Sequence, residues 1–210
     1  MYERIIKRFL DLTVSIIASI VLAIPILILA VIIKIDDPGP ALFKQKRIGK
    51  NKTLFWLYKL RTMKMATPDI PTHLLEHPEQ YITRVGGTLR KFSVDELPQL
   101  YNALRGEISL IGPRPALWNQ YDLLEERDRY GANDVRPGLT GWAQINGRDE
   151  LGIAEKAQLD GEYVEALKRG GWTAFAMDAR CFFGTILSVL KHDGVVEGGQ
   201  GELKKEKVAH

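Results

Sequence analysis

Between Asp11 and Lys34 the chain carries no charged residue, and the run LTVSIIASIVLAIPILILAVII is long enough for a helix to cross a bilayer core. A cleavable signal peptide has a shorter apolar core and a small-residue cleavage site. Here the run leads into Lys34-Ile35-Asp36-Asp37-Pro38, so the segment is expected to be retained. Pro25 sits in its middle, removes a backbone donor and crowds the carbonyl of Val21, which predicts a kink. Lys7 and Arg8 precede the run, and Lys34, Lys44, Lys46, Arg47, Lys50 and Lys52 follow it, so both flanks carry the charge of a cytoplasmic side. A helix that enters, bends at Pro25 and returns to the same face satisfies both flanks. A kinked single pass satisfies only one and stands as the alternative.

The rest of the 210-residue chain has room for one ordinary domain. A net charge of +3 is too small to suggest nucleic-acid binding, and none is expected. Cys181 is the single cysteine, which excludes an intrachain disulfide and a cysteine-based zinc site and suits a reducing compartment.

Past Pro38-Gly39-Pro40, two short apolar-rich runs, ALFKQKRIG and TLFWLYKLRTM, flank the turn-like Gly49-Lys50-Asn51-Lys52 and predict a β-hairpin. Residues 66–82 carry three prolines and are expected to form a loop with a short helical piece. Helical spacing begins at Leu97, and further helices are expected over 116–129, 151–168 and 172–191. In the last of these, Trp172, Phe175, Phe182, Phe183 and Ile186 suit either a core stripe or a membrane-interface face. The tail 192–210 has a disordered composition. The expected class is α+β, mainly helical with a small β-hairpin. Residues 1–36 are expected to form a re-entrant helix-break-helix membrane hairpin kinked at Pro25, and 37–191 a cytoplasmic domain.

His73-Leu74-Leu75-Glu76-His77 matches the H-x-x-E-H pattern of zinc peptidases, but Pro71 and Pro78 leave barely a turn and a half of helix, and so short a pattern is easily met by chance. More substantial are Gly112-Pro113-Arg114-Pro115 and the loop from Val135 to Arg148. Prolines on both sides restrain Arg114, whose guanidinium suits a bidentate phosphate contact. Gly138, Gly141 and Gly147 permit tight turns and close approach to a ligand. Lys59, Arg61, Arg90, Arg114, Arg136 and Arg148 all lie in or beside such constrained segments, a composition that suits a pyrophosphate; a Gly/Pro-rich connector with solvated arginines is the plainer reading. In Phe92-Ser93-Val94-Asp95-Glu96-Leu97-Pro98-Gln99-Leu100 two adjacent carboxylates stand at a helix start. Ser93 with Glu96 fits a capping box, and a cap at Asp95 would accommodate Pro98 better.

Together KRFLD (residues 7–11), FKQKRIG (43–49), YKLRTM (58–63), LRKFSVDELPQLYNALRGEISLIGPRP (89–115) and VRPGLTGWAQINGR (135–148) resemble the monotopic phosphoglycosyl transferases. These are bacterial sugar transferases that start surface-glycan assembly on undecaprenyl phosphate. The resemblance extends to about residue 191. It implies a re-entrant helix broken at a proline, although Ile24 stands here where family members often have serine. It implies that Asp95 attacks the β-phosphorus of a UDP-sugar, releases UMP and carries the phosphosugar until undecaprenyl phosphate takes it. Glu96 is then the second carboxylate, as Mg²⁺ ligand beside Asp95 or as proton acceptor. Lys59, Arg90, Arg114 and Arg148 would hold phosphates, with Arg136 and Asp160, the latter in QLDGEYV, in support. The implied location is the cytoplasmic face of the bacterial inner membrane, in contact with membrane lipid and feeding downstream glycosyltransferases. The rival readings are a zinc peptidase, a non-catalytic assembly scaffold and a glycosyltransferase that releases UDP. Neither the sugar nor the glycan pathway is legible.

Overall fold

The computed structural model describes residues 2–68, 77–147 and 150–191. A short π-helical lead, Tyr2–Lys7, runs into α1, Arg8–Asp36. The β-hairpin follows as β1, Leu42–Ile48, and β2, Leu54–Leu60, paired antiparallel with Leu42 opposite Leu60 and Ile48 opposite Leu54. Its turn places Asn51 and Lys52 at positive φ. Then come α2, Arg84–Lys91, and α3, Gln99–Arg105. Next are β3, Ser109–Ile111, α4, Tyr121–Asp128, β4, Gly138–Thr140, and α5, Trp142–Ile145. Two long helices, α6, Ile153–Arg169, and α7, Gly171–Lys191, complete the described chain. The class is mainly helical with a small antiparallel hairpin, as the sequence predicts.

The N-terminal segment is helical through Pro25, and no break between two helices is resolved in α1. A proline deletes one ladder bond, and the flanking bonds suffice to carry the helix across it. Both ends of α1 nevertheless dock on the same folded unit. At the start, the Arg8 guanidinium donates to the carbonyls of Ala103 and Leu104 at 2.7 and 2.9 Å, capping the C-terminus of α3 with a cation. Asp11 accepts from the Ser109 hydroxyl at 2.7 Å and the Leu110 amide at 3.0 Å. At the far end, Ile33 packs with Ala41, Leu60 and Leu89, and Asp37 takes the buried Arg61 guanidinium. Between these anchors Ile16, Ile17, Ile20, Val21, Ile24, Leu27, Ile28, Val31 and Ile32 are exposed. Tyr2–Asp36 and Gly171–Leu190 are each long and apolar enough to cross a membrane, consistent with a membrane-associated protein.

Asp178 of α7 ties the chain's start to its end. It accepts from Tyr2 Oη at 2.7 Å and Lys7 Nζ at 2.9 Å, and Tyr163 Oη of α6 lies 2.9 Å from its other oxygen. On α7 the packed face is Ala174, Asp178 and Cys181, whereas Trp172, Phe175, Phe182, Phe183 and Ile186 are exposed. The core-stripe alternative for those aromatics is therefore not met. Ala116 and Leu117, expected to be helical, bridge to the hairpin instead, and α4 begins only at Tyr121. Asn102, fully buried, fastens α3 to the edge of β2. Its Nδ2 donates to the Trp56 carbonyl at 2.7 Å, and its Oδ1 accepts from the Tyr58 amide at 3.2 Å.

The sequence did not announce α2 or the parallel pair β3–β4. Thr83 caps α2 by accepting from the Gly86 amide at 2.9 Å. A Cβ on Gly86 would stand 2.1 Å from the Thr62 carbonyl oxygen, whereas one on Gly87 would meet nothing nearer than 3.8 Å. Thermal unfolding in detergent should separate the two neighbours. Gly86→Ala should cost roughly 1–3 kcal/mol through overpacking, and Gly87→Ala should be neutral or stabilise by up to about 1 kcal/mol as a helix-interior glycine replaced.

Candidate active site

The segment after α2 decides the site. Ser93 is left-handed at φ 55° and makes no capping bond with its side chain, so the capping box expected there is absent. Residues Val94–Glu96 form a single 3-10 turn, and Pro98 stands at the N-cap of α3, where its missing donor is harmless. Asp95 and Glu96 thus belong to a separate turn wedged against β2. Each is only 7% exposed.

The two carboxylates have opposite surroundings. Glu96 is clamped: Lys59 Nζ donates to its Oε1 at 2.8 Å, and Arg114 donates to Oε1 at 2.6 Å and Oε2 at 3.3 Å. Among the described residues the Asp95 carboxylate makes no hydrogen bond or ion pair. Burial pushes the Asp95 carboxyl above the usual range and adjacent Glu96 adds to this, while Lys59, Arg90 and Arg114 oppose through space. Burial likewise lowers Lys59, against the pull of Glu96. Arg90 is aimed by its Nε bond to Thr62 Oγ1 at 2.8 Å.

Arg47 joins this group unforeseen. It donates to the Pro115 carbonyl at 2.9 Å and to Gln45 at 2.7 Å. Burial pulls its guanidinium down to about 9, Arg114 pushes the same way and Glu96 opposes, so it remains a cation at neutral pH. The sequence places Arg47 among the flanking charges and within FKQKRIG, but not among the phosphate-holding residues. Strand periodicity held the missed signal, since Arg47 shares a hairpin face with Lys59. Among the described residues four cations, Arg47, Lys59, Arg90 and Arg114, therefore surround two carboxylates, a setting that suits an anionic ligand.

Other expected residues lie elsewhere or outside the described chain. Arg136 neighbours Arg8 at the start of α1, where burial lowers the Arg8 guanidinium, repulsion from Arg136 adds to this and Asp11 opposes it. Asp160 is fully buried in an ion pair with Arg127, which donates from Nε at 2.8 Å and from a terminal nitrogen at 2.6 Å, joining α6 to α4. Burial raises its carboxyl, and it is not among the charges acting on Asp95. Arg148 lies outside the described residues, as do His73 and Glu76 of the zinc-peptidase pattern. His77 is left-handed, precedes the 3-10 turn Pro78–Tyr81 and sits on no helix, which removes the geometry that pattern requires. The close approaches of Gly138 and Gly141 are to the chain itself. A Cβ on either would stand 2.1 Å from the backbone of Gly112, fixing the loop that presents Arg114.

Among the described residues no group of three or more His, Cys, Asp or Glu side chains could hold a metal. The adjacent pair Asp95 and Glu96 is a smaller donor set. One or two carboxylates are the usual protein share of a Mg²⁺ site whose other ligands are water and substrate phosphates.

A profile of bacterial sugar transferases matches residues 2–192. The chain belongs to that family. EpsL of Bacillus subtilis (strain 168), named an uncharacterized sugar transferase, is 38% identical over 191 residues, covering 91% of this chain and 90% of its own length. The undecaprenyl-phosphate glucose phosphotransferase of Komagataeibacter xylinus is 38% identical over 196 residues, covering 88% of this chain. The UDP-glucose:undecaprenyl-phosphate glucose-1-phosphate transferase of Caulobacter vibrioides (strain ATCC 19089 / CIP 103742 / CB 15) is 42% identical over 143 residues, covering 67% of this chain. The chain spans 36% and 54% of the length of those last two. Family membership supports an enzyme of the phosphoglycosyl transferase type.

The opposed environments make opposed predictions for stability. Because the Asp95 carboxyl is raised in the fold, the stability tied to its protonated form is complete below its unfolded value and is lost as pH rises through the folded one. Asp95→Asn should melt higher than the parent protein at neutral pH, with the gap closing on acidification. Glu96→Gln removes the anion that Lys59 and Arg114 share among the described residues and should cost up to roughly 3 kcal/mol, the low end for a broken buried pair because the Arg114 side chain is 31% exposed. Thermal unfolding across pH checks both.

Proposed function

We propose that this protein transfers a sugar 1-phosphate from a UDP-sugar to undecaprenyl phosphate, with Asp95 as covalent carrier. The observation that carries the reading is the division of labour between the carboxylates. Asp95 is buried and holds no hydrogen-bond partner among the described residues, while Glu96 beside it takes two cations. A carboxylate freed of short hydrogen bonds keeps its lone pairs for attack, and the cations around it offset the charge of the incoming diphosphate.

In the first step an Asp95 oxygen forms a bond to the β-phosphorus and the bond to the bridging oxygen breaks, so UMP leaves. In the second a phosphate oxygen of undecaprenyl phosphate attacks the same phosphorus, and the Asp95 carboxylate departs unchanged. Lys59, Arg90 and Arg114 hold the phosphate oxygens, and Glu96 keeps Lys59 and Arg114 converged on the place where negative charge develops. By its motif position Arg148 extends this set, Arg136 supports it from beside Arg8 at the start of α1, and Asp160 does so through the α4–α6 packing. Asp95 and Glu96 would hold Mg²⁺, which when bound neutralises part of the diphosphate charge.

The same reading sets the protein on the cytoplasmic face of the inner membrane, with α1 re-entrant and the exposed aromatics of α7 in the interface, handing its product to downstream glycosyltransferases. Support for re-entry comes from Arg8 and Asp11 at one end and Ile33 and Asp37 at the other, all held by one domain. A helix whose ends lay on opposite faces of a bilayer would leave one of those ends without its partners.

Nucleotide analysis tests the reaction class. Membranes containing the protein, Mg²⁺, undecaprenyl phosphate and a panel of UDP-sugars should yield UMP with at least one of them, and Asp95→Asn should lose about three orders of magnitude or more of that release, the scale for removal of a nucleophile. Release of UDP instead would establish direct glycosyl transfer, and full activity in Asp95→Asn would remove the carrier.

A further inference from the structure

The β1–β2 hairpin has two unlike faces. Phe55 and Leu57 turn inward onto Ala103 and Ile108, and Lys59 reaches Glu96 from that side. The outer face pairs Lys46 with Trp56, Lys44 with Tyr58, and Ile48 with Leu54. Leu42, Leu54 and Trp56 on it are 53%, 62% and 42% exposed. Lys44 Nζ and Lys46 Nζ stand 5.1 and 5.4 Å from the Trp56 ring centroid, within cation–π range. Tyr58 then meets Tyr101 edge-on at 5.6 Å, and the Arg105 guanidinium lies 5.7 Å from the Tyr101 ring. Aromatic rings and cations thus alternate from the hairpin onto α3.

Charge and placement indicate what would cover this face. No acidic residue occurs between Asp37 and Asp69. Lys50 and Lys52 at the tip are paired with Glu3 and Asp128, whereas among the described residues Lys44 and Lys46 have no carboxylate partner. Leu60, on the same outer face but 1% exposed, packs with Ile33 in the last turn of α1, so the face is continuous with the end of the membrane helix. The hairpin's base therefore adjoins the end of α1, and its tip, through Lys50 and Glu3, adjoins the beginning.

We propose that this outer face docks on anionic phospholipid headgroups. The inference rests on the membrane reading above, in which both ends of α1 lie at one surface and the hairpin spanning them lies along it. Trp56, Tyr58 and Tyr101 then occupy the headgroup level that aromatic side chains favour. Lys44 and Lys46 meet the negative surface, each strengthening contact by about fivefold. The headgroups hold the hairpin whose opposite face carries Arg47 and Lys59, so the bilayer steadies two cations of the site.

Fluorescence quenching of the full chain in vesicles tests this, with a fixed fraction of brominated lipid that is either phosphatidylcholine or phosphatidylglycerol. The Trp56 signal is the difference between the parent protein and Trp56→Phe. Brominated phosphatidylglycerol should quench it more strongly, and Lys44→Gln with Lys46→Gln, which leaves Trp56 in place, should abolish that excess. Equal quenching by the two lipids would overturn the anionic preference. Quenching of the other tryptophans but not of Trp56 would overturn the docking surface and favour another occupant such as a second copy. Absence of quenching at every tryptophan would instead overturn the membrane reading on which the proposal rests.

Discussion

The anchoring of both ends of α1 on one domain is the constraint from which the remaining architecture follows. Neither anchor is a general apolar contact. At the start, Lys7 and Asp178 form a buried ion pair, Asp11 is 3% exposed between a hydroxyl and an amide, and Arg8 caps a helix end. At the far end Asp37 holds the buried Arg61. Each such group pays heavily for desolvation if its partner is withdrawn, so the ends of α1 are fixed in place with respect to α3, β3 and β2. Those elements in turn border the site: β2 carries Lys59, α3 follows the turn of Asp95 and Glu96, and β3 leads into the loop of Arg114. An apolar helix suited to lipid and a charged site suited to phosphate are thereby built on one frame, which is what chemistry between a soluble nucleotide sugar and a lipid phosphate requires.

Within that frame the neighbouring carboxylates diverge because of direction, not composition. The 3-10 turn sends Glu96 toward Lys59 and Arg114 and leaves Asp95 buried without a short contact among the described residues. Two acidic groups side by side in a low-dielectric site would ordinarily raise one another, and here the cations take up the charge of one and surround the other. Among the described residues cations outnumber carboxylates here, an imbalance that would be unfavourable in an empty core. It is understandable in a site that receives phosphate groups.

How far the sequence revealed this depends on the length scale of each signal. The hairpin, α6 and α7 were legible because each extends over several periods of its own pattern. The strands β3 and β4 contribute three residues each, pair across a long separation and show no period at all. Helix α2 contains two adjacent glycines and lies below the length at which helical spacing declares itself. In FSVDELPQL, Ser93 and Glu96 match a capping box, but a left-handed Ser93 turns the chain away from that geometry, and the alternative cap at Asp95 is not met either, since Pro98 stands at the N-cap of α3. Asp95 and Glu96 stood out through the basic loops and the family resemblance, not through local pattern. The place of Arg47 is not legible from charge along the chain, because its meaning lies in the strand face it shares with Lys59.

The covalent carrier is the central claim, and intact mass measurement after rapid acid quench addresses it directly. Protein mixed with Mg²⁺ and an accepted UDP-sugar, without undecaprenyl phosphate, should gain the mass of one sugar phosphate. Peptide fragmentation should place that gain on Asp95, and added undecaprenyl phosphate should discharge it. UMP formation with no adduct on any residue, under conditions where the second step cannot proceed, would contradict the account, as would an adduct mapped to Glu96.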